Sequence, residues 1–395
     1  KRLADEELQK KLAHSGAVLV RGPKWCGKTS TCDVLASSAL RLRDPDVFAR
    51  SQQALAIQPS LLLRGDKPRL IDEWQVAPVL WDAVINDVDK NGGLPGQYLL
   101  TGSATPVDQT APDAPKHTGT GRVARLDMDT MTLEESGVST CEVSLASLFG
   151  GQGEVSGVGP VSVEGYADLI CGGGWPAPVA RGSLDPGVAW DYVDALCESD
   201  VSEAAQSNLD PMRTRALLRS VARCSAQEAS LATILADVRD VGVGMSEPTL
   251  RVYLNALRRL YIIRDIKAWA PALRSKTPLR QAGVWHLCDP SLAAAVLETD
   301  ANGLLSDLNT MGYLFESLCV RDLRVYLRPL NGEVCHYRDK NGLEADAVLR
   351  IQDGRWAAVE VKIGGEKNIE EGAANLRSLA EKVDQKRTGA PAFLM

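Results

Sequence analysis

The chain has 395 residues, of which 45% are hydrophobic and 24% charged, and its formal net charge at pH 7 is −7. At about 150 residues per domain, this length predicts two or three domains. The composition is that of a globular protein and excludes wholesale disorder or a collagen-like repeat. No run approaches the ~20 apolar residues that cross a bilayer, and no signal-peptide pattern is present, so we expect a soluble cytoplasmic protein.

The nine cysteines are widely spread and form no Cys-x-x-Cys pair. An odd number without such a pair favours buried thiols in a reducing compartment over a disulfide framework or a structural zinc. The chain opens at Lys1 and stops at Met395, which is compatible with trimming at both ends.

The first part of the chain alternates apolar strands with helix-like stretches, which predicts an α/β layer with a largely parallel sheet. The segment Ala104–Gly121 is rich in Pro, Thr and Gly and is predicted to be a mobile loop, and the glycine-rich segment Gly150–Val163 marks a boundary. The predicted elements are a strand at Ala17–Arg21, a helix at Lys28–Leu40, strand fragments at Leu61–Leu63 and Arg69–Ile71, and a strand at Gln97–Thr101.

These patterns divide the chain into three predicted domains. Residues 1–149 form the α/β domain, residues 150–300 a mainly helical domain, and residues 301–395 a small α/β domain with a helix followed by short strands.

A phosphate-binding loop is predicted between the first strand and the first long helix. The segment Gly22–Thr29 matches G-x-x-x-x-G-K-[ST] at every fixed position. The glycines let backbone N–H groups turn towards a phosphate, Lys28 is expected to reach the β- and γ-phosphates of ATP, and Thr29 to bind Mg²⁺. The alternative is a glycine turn with an exposed lysine. The predicted nucleotide-binding residues here are Gly22, Pro23, Lys24, Trp25, Cys26, Gly27, Lys28, Thr29 and Ser30.

Two adjacent acids follow the strand at residues 69–71. Asp72 is predicted to hold the Mg²⁺ shell and Glu73 to polarise the attacking water, which favours hydrolysis over binding alone. Taken by themselves, two acids after a strand also fit a solvated turn.

Three further polar residues are candidates for contact with the nucleotide. Ser103 follows the strand at 97–101 and is predicted, in preference to Thr101, to sense the γ-phosphate, with a plain turn hydroxyl as the alternative. Arg122 and Arg125 are predicted as arginine fingers or sensors, with a solvated surface strand as the alternative. A neighbouring subunit often supplies such an arginine, so a homo-oligomer is an accompanying hypothesis.

The middle of the chain carries a strong local positive charge. Residues 251–280 hold eight Lys or Arg against one acid, a balance of +7 that leaves −14 on the remainder. A positive face of this kind on an acidic protein can bind a polyanion at one place.

A winged-helix arrangement is predicted around this basic segment. A helix at Glu228–Val238 precedes a second helix that opens at Ser246, and a β-like run follows at Tyr261–Leu279. The second helix of such a unit enters the DNA major groove, with arginines on the phosphates. The alternative is a packing helix with a solvated charged face. The predicted DNA-binding residues are Arg251, Arg258 and Arg259.

The C-terminal part contains a pattern of acids typical of metal-dependent nucleases. Asp346 is predicted to begin one strand, and Glu360 and Lys362 to lie on the next, where residues two apart face the same side. Asp346 and Glu360 would bind Mg²⁺ while Lys362 orients water, and Glu316 on the preceding helix is a further candidate ligand. A solvent-facing Glu-x-Lys pair is the alternative.

The ordered set of motifs resembles bacterial and archaeal AAA-family ATPases that carry a C-terminal domain of unknown function. The resemblance covers nearly the whole chain. It implies an AAA-like P-loop ATPase domain, a winged-helix-like middle domain and a small restriction-endonuclease-like domain similar to PD-(D/E)xK nucleases. The last of these usually adds a strand and a helix after the E-x-K element. The motifs are Gly22–Thr29, Arg69–Gln75, Leu100–Ser103, His117–Arg122, Gly172–Pro176, Tyr337–Arg338, Gly342–Asp346 and Glu360–Lys362.

Three functional hypotheses follow from these predictions. The first is an ATP-hydrolysing enzyme that acts on DNA, with cleavage by the C-terminal acids as an open question. The second is a nucleotide-controlled switch or scaffold whose C-terminal domain binds DNA or a protein partner without cleavage. The third, a P-loop kinase of a small molecule, is disfavoured by Glu73 and by the basic middle segment.

Overall fold

The computed structural model describes residues 1–103, 117–271 and 283–395. The chain divides into two compact units. The first contains residues 1–130, 202–208 and 255–261, and the second contains the remainder. The larger part of the predicted loop at 104–121 and three of the basic residues of the middle segment, Arg274, Lys276 and Arg280, lie outside the described residues.

The first unit is an α/β layer built on a five-stranded sheet. Its helices are α1 (Ala4–Leu12), α2 (Lys28–Asp33), α3 (Pro45–Ile57) and α4 (Val79–Lys90), with short 3₁₀ turns at Pro59–Leu63 and Trp74–Val76. Its strands are β1 (Ala17–Arg21), β2 (Ser38–Arg41), β3 (Arg69–Asp72), β4 (Tyr98–Gly102) and β5 (Val123–Asp127).

The strand order is β2-β3-β4-β1-β5, and every neighbouring pair runs parallel. Alternate residues of each strand face opposite sides, so Leu19 and Leu100 pack into one core and Val18 and Leu99 into the other. Apolar residues cover both faces, as parallel sheets require. Because all five strands run in the same direction, their carboxyl ends lie at one edge of the sheet. The predicted parallel α/β layer is confirmed.

Two predicted elements of this unit are wrong. The helix predicted for 28–40 ends at Asp33, and residues 38–41 form strand β2, because they pair with β3 from Ser38↔Arg69 to Arg41↔Asp72. The strand fragment predicted at 61–63 is part of a 3₁₀ turn, Pro59–Leu63, which buries Leu63 against the core. In both cases tertiary packing overrides the local pattern.

After residue 130 the chain is mostly helical as far as residue 262 and contains both helices and strands from residue 263 onwards. The helices are α5 (Leu145–Phe149), α6 (Val163–Gly172), α7 (Pro176–Ala180), α8 (Gly187–Ala195), α9 (Val201–Ala205), α10 (Pro211–Arg223), α11 (Leu231–Asp240), α12 (Glu247–Arg259), α13 (Pro290–Val296), α14 (Ala301–Ser306), α15 (Leu308–Leu327), α16 (Glu366–Lys382) and α17 (Gln385–Thr388). The strands are β6 (Ile263–Ala268), β7 (Val284–Leu287), β8 (Glu333–Arg338), β9 (Glu344–Arg350) and β10 (Trp356–Val359).

These strands form a second five-stranded sheet in the order β10-β9-β8-β6-β7. Strand β6 lies in the run predicted as a wing, and it pairs antiparallel with β7 and in parallel with β8. The pair is thus part of the C-terminal sheet and is no free wing. The predicted boundary between residues 300 and 301 consequently falls between strands of a single sheet.

Two helices cover the C-terminal part of this sheet. Val320 of α15 packs with Leu349 and Val359, and Leu376 and Leu379 of α16 pack with Val348 and Trp356 on alternate positions. After α16 the chain returns to the sheet, where Leu394 bridges Ala358 in parallel. A helix therefore follows Lys362, and the return to the sheet is a single isolated bridge rather than a further strand.

The helix at 247–259 and its N-cap agree with the prediction, since the Ser246 hydroxyl accepts a hydrogen bond from the Thr249 amide.

All nine cysteines are free thiols, and most of them are buried. Within the described ranges, no helix is both long and apolar enough to span a membrane.

Candidate functional site

The loop from Gly22 to Gly27 connects the end of β1 to the start of α2. A Cβ atom at Gly22 would lie 2.3 Å from the carbonyl oxygen of Met128, so only glycine fits there. Gly27 is left-handed, with φ of 97°, and turns the chain into α2. The Lys28 side chain is buried and curls back over the loop, where its Nζ donates to the carbonyls of Gly22 at 3.0 Å and Pro23 at 2.8 Å.

The other predicted members of the loop differ in exposure. Trp25 is 69% exposed and has a positive φ of 64°. Cys26 is buried, and its carbonyl accepts a hydrogen bond from Arg2 at 2.6 Å. Ser30 is exposed on the first turn of α2.

Asp72 is the centre of a hydroxyl–carboxylate cluster at the ends of β3 and β4. Its Oδ1 accepts the Thr29 hydroxyl at 2.7 Å and the Thr101 hydroxyl at 2.6 Å. The parallel arrangement produces this meeting, because β4 lies between β1 and β3 in the sheet. Thr101 is fully buried, so its hydroxyl holds the carboxylate in one orientation.

Glu73 lies beside this cluster in a strained backbone conformation. Its φ of 56° is left-handed, which is rare for a residue with a Cβ, and its amide donates to Thr101 Oγ1 at 2.9 Å. The Glu73 Oε2 atom accepts the Ser103 hydroxyl at 2.8 Å and the Gln75 side-chain amide at 2.5 Å. The carboxylate is thereby aimed at the edge where the phosphate loop lies.

Glu73 is the first residue of a chain of three ion pairs. Arg43 Nε lies 3.4 Å from Glu73 Oε2, and Arg43 Nη2 lies 3.7 Å from Glu203 Oε1. Glu203 Oε2 in turn lies 3.6 Å from Nζ of Lys24 in the phosphate loop.

The donor set fits a hard divalent cation beside a phosphate. A threonine hydroxyl and a carboxylate that already converge within 2.7 Å are oxygen ligands of the kind that Mg²⁺ prefers. The loop supplies backbone N–H groups and a buried lysine for phosphate oxygens.

Arg122, a predicted nucleotide ligand, lies at the other end of the sheet. Its carbonyl accepts the amide of Ala17, the first residue of β1, and its guanidinium pairs with Asp89 at 2.9 Å. A five-residue strand spans about 15 Å, so within one chain Arg122 is remote from the phosphate loop. Arg125 is exposed further along β5 and donates to the Thr118 carbonyl.

The predicted DNA-binding arginines of α12 have different surroundings. Arg251 is exposed and pairs with Glu247 one turn earlier. Arg258 is half-buried, and Arg259 is half-buried with a donor 3.4 Å from the Ala204 carbonyl. The apolar face of the helix, which includes Leu250, Leu254 and Leu257, is fully buried.

The C-terminal acids and lysine do come together. Asp346, within β9, accepts the Val361 amide at 2.8 Å and the Lys362 ammonium at 3.1 Å. Lys362 also forms a close ion pair with Glu360, whose side chain is 4% exposed. Contrary to the prediction, Glu360 and Lys362 follow the end of β10 and are not on it. A cleft of about 560 Å³ adjoins them and is lined by Glu316, Asp346 and Lys362 among others.

Burial dominates the electrostatics of this cluster. It raises the pKa of Glu360 to about 7, with the Asp346 carboxylate adding to the shift. Burial and Asp346 also raise the pKa of Glu316 well above its ordinary value. Although burial acts in the opposite sense on Lys362, Asp346 and Glu360 hold its pKa above the ordinary value.

The described ranges contain no group of three or more His, Cys, Asp or Glu side chains placed to hold a metal ion. Glu316, the further candidate ligand, therefore makes no such group with Asp346 and Glu360, and the Mg²⁺ site of the latter two carboxylates stays a prediction. Lys362 contacts both Asp346 and Glu360, so one ammonium group is the ion-pair partner of both predicted metal ligands.

Sequence reasoning preferred Ser103 to Thr101 and missed Gln75, Arg43 and Glu203. The segment Leu100–Ser103 shows in the sequence that two hydroxyl residues lie at the end of β4. Only the tertiary structure shows that the Thr101 hydroxyl donates to Asp72. Arg43 was not recognised as a site residue because residues 38–40 were predicted as helix, so no strand end was expected beside it. Glu203 has no local signal.

Comparisons with known proteins match parts of the chain to two families. Residues 163–303 match Domain of unknown function (DUF8612), and residues 311–392 match Domain of unknown function (DUF4143). Two mycobacterial relatives, Rv2008c of Mycobacterium tuberculosis and Mb2031c of Mycobacterium bovis, both described as uncharacterized, are 23% identical over 365 residues. The aligned region covers 92% of this chain and 74% of each relative.

Two solved structures show distant similarity. One is the Walker-type ATPase PABY2304 of Pyrococcus abyssi, with 13% identity and a TM-score of 0.42 over 74% of this chain and 94% of that chain. The other is the Aeropyrum pernix ORC1 protein in complex with DNA, with 14% identity and a TM-score of 0.26 over 74% of this chain and 91% of that chain.

Proposed function

We propose that this protein binds and hydrolyses ATP at the carboxyl edge of its parallel sheet. One observation carries the proposal: the loop after β1, the acids after β3 and the hydroxyls at the end of β4 converge at this edge. The hydrogen bonds from Thr29 and Thr101 to Asp72, and from Ser103 to Glu73, join them directly. A solvated turn would not place these groups in mutual contact.

In this mechanism the loop amides and Lys28 bind the β- and γ-phosphates of ATP. Thr29 and Asp72 hold Mg²⁺, which neutralises charge on the phosphates when it is bound. Glu73 accepts a proton from a water molecule whose oxygen forms a bond to the γ-phosphorus. The bond between that phosphorus and the β–γ bridging oxygen breaks, which releases ADP and inorganic phosphate.

The test is the ATPase rate of the full chain and of two variants. Glu73→Gln is expected to retain ATP binding and to lower the rate by about 100-fold or more, because the amide cannot take the proton. Lys28→Ala is expected to lose nucleotide affinity. Glu154→Gln, a change of the same kind on an exposed loop, is the control. Wild-type protein that binds no ATP, or a Glu73→Gln variant that hydrolyses it normally, would exclude the proposal.

We extend the proposal to DNA as a partner of the ATPase, contacted by the outer face of α12. Exposed Arg251 is the support for this contact, whereas half-buried Arg259 fits a packing role better. If DNA is the partner, it stimulates the ATPase rate, and the stimulation fades as salt rises, because phosphate contacts release counterions. A rate indifferent to DNA favours the nucleotide-controlled switch.

For the C-terminal unit, the charge pairing favours a binding module over a nuclease. Lys362 lies between Asp346 and Glu360, and no three-ligand metal group occurs among the described residues. We expect no Mg²⁺-dependent nicking of plasmid DNA above the background of a Lys362→Ala variant purified in parallel. Nicking that the variant abolishes would instead establish the restriction-endonuclease-like activity.

A further inference from the structure

Arg43 stands at the carboxyl edge of the sheet without belonging to any motif of the sequence. The Leu42 amide donates to the Asp72 carbonyl at 3.4 Å, which continues the pairing of β2 with β3 beyond Arg41. Leu42 is buried, and Asp44 caps the start of α3 by accepting the Asp46 amide. The backbone of Arg43 is therefore held on both sides, and its side chain is directed to the same edge as Glu73.

The contacts of its guanidinium are ion pairs of moderate length. Arg43 is 3.4 Å from Glu73 and 3.7 Å from Glu203, both beyond the ~2.9 Å of a close arginine–carboxylate hydrogen bond. The side chain remains 49% exposed. Since a guanidinium has five N–H donors in a planar fork, it has capacity for a further anion.

A terminal phosphate carries more negative charge than one carboxylate and matches the guanidinium fork equally well. Arg43 shares the Glu203 carboxylate with Lys24 of the phosphate loop, so a terminal phosphate bound at that loop competes with Glu73 and Glu203 for the guanidinium.

We propose that Arg43 is the arginine that binds the terminal phosphate, supplied by the same chain from the end of β2, and that Glu203 holds it when no terminal phosphate is present. This inference rests on the proposed ATPase function and deepens it. Glu203 is suited to the role because it pairs with Arg43 and with Lys24 of the phosphate loop at once. Arg43 then stabilises charge on the transferred group in the ATP-bound state.

The test compares affinities for ADP and for a β,γ-imido analogue of ATP, measured by calorimetry on the full chain with Mg²⁺. Arg43→Ala is expected to weaken the analogue about tenfold and ADP less than about twofold, since only the analogue has the third phosphate. The ATPase rate is expected to fall about 1,000-fold, as for other arginines on transferred phosphates, and Arg43→Lys to recover part of it. Arg219→Ala is a matched control, because Arg219 is 48% exposed and lies 3.5 Å from Glu298.

A mixing experiment separates an arginine of the same chain from one supplied by a neighbour. Equal amounts of Arg43→Ala and Glu73→Gln chains are expected to show no more activity than the two alone. Restored activity would overturn the proposal, as would an Arg43→Ala variant with wild-type discrimination between the two nucleotides. If the wild type itself binds neither nucleotide, the ATPase proposal fails together with this one. If only Arg43→Ala is without effect, the ATPase proposal stands.

Discussion

At the scale of the residue, Thr101 links the two acidic residues of the candidate site. Its hydroxyl donates to Asp72 and accepts from the backbone of Glu73, so a single buried oxygen orients one carboxylate and supports the strained φ of the other. Such strain persists only where neighbouring contacts determine the conformation, and it is concentrated at functional sites. Ser103 contributes separately through the side chain of Glu73.

His286 is a second residue whose surroundings determine its chemistry. It is fully enclosed on β7, with its Nδ1 atom 2.9 Å from the Ser317 hydroxyl. Burial lowers the pKa of His286 to about 3, and the charges of Arg324 and His336 act in the same direction. The imidazole is thus neutral in the folded protein at pH values where it takes up a proton in the unfolded chain.

We therefore predict that His286 makes the protein less stable in mild acid. Between the ordinary pKa of 6.5 and about 3, only the unfolded state binds this proton, so the free energy of unfolding falls as the pH falls. From about pH 7.5 to about pH 5.5 this contribution is about 1.4 kcal/mol. Glu360, with its pKa raised to about 7, acts in the opposite sense, because the folded protein then binds the extra proton.

The measurement is urea unfolding of the wild type and of His286→Asn at both pH values. Asparagine keeps a partner for Ser317 but does not titrate. From the higher to the lower pH, the free energy of unfolding of the variant is expected to fall by about 1.4 kcal/mol less than that of the wild type. Parallel pH profiles for the two proteins would contradict the assignment.

At the scale of the element, the Gly172–Pro176 motif is explained by packing. A Cβ atom at Gly174 would lie 2.2 Å from the Met131 carbonyl oxygen, and the Gly174 amide donates to Asp289 at 3.0 Å. Trp175 is fully buried and donates to Ser291 at the start of α13. The motif thus fixes the connection between α6 and α7 against α13.

A buried ion triad completes this junction. Arg321 of α15 donates to Asp289 at 2.9 Å and to Asp322 at 2.8 Å, and Asp322 also accepts the Leu133 amide. We predict that Arg321→Met lowers the free energy of unfolding of the second unit by about 3–5 kcal/mol, because it leaves two buried carboxylates without their cation.

Chemical denaturation of the full chain, followed through the transition of the second unit, measures this loss. Arg350→Met removes an exposed partner of Glu333 at 3.8 Å and is expected to cost less than about 1 kcal/mol. Equal effects of the two variants would show that the triad contributes no more than a surface ion pair.

At the scale of the whole molecule, the chain passes repeatedly between its two units. Residues 202–208 and 255–261 belong to the first unit, although the segments on either side of each belong to the second. The first of these segments carries Glu203, the partner of Arg43. The candidate site of the first unit is thus completed by a residue that lies far along the sequence from the phosphate loop.

Much of the first unit could be predicted from its sequence. The phosphate loop, strands β1, β3 and β4 and the two acids follow local patterns, because a strand, a glycine turn and a helix start each depend on a few neighbouring residues. The start of α12 at Ser246 is a cap of the same local kind. Strand β2 could not be predicted, since Ala39, Leu40 and Arg41 favour helix and only their pairing with β3 makes them a strand.

The C-terminal residues of the second unit show how far motif order in a sequence can predict a site. The order of Glu316, Asp346, Glu360 and Lys362 suggested a metal site, and the last three of these residues do meet. The role of Lys362 as the shared ion-pair partner of both carboxylates depends on distances that sequence does not contain. The pairing of β6 with β8, which joins the predicted wing to the C-terminal sheet, is likewise a contact between distant segments.

The sequence by itself determined which residues are the candidates for binding phosphate and Mg²⁺, because Gly22–Thr29 and Asp72-Glu73 are recognised from local geometry and side-chain chemistry alone. It also determined the parallel sheet, through short apolar strands separated by helices. Only the tertiary structure decided that Arg122 lies about 15 Å from the loop while Arg43 lies beside Glu73. The reason is that strand order, and with it the set of side chains at the carboxyl edge, is set by the packing of the whole sheet.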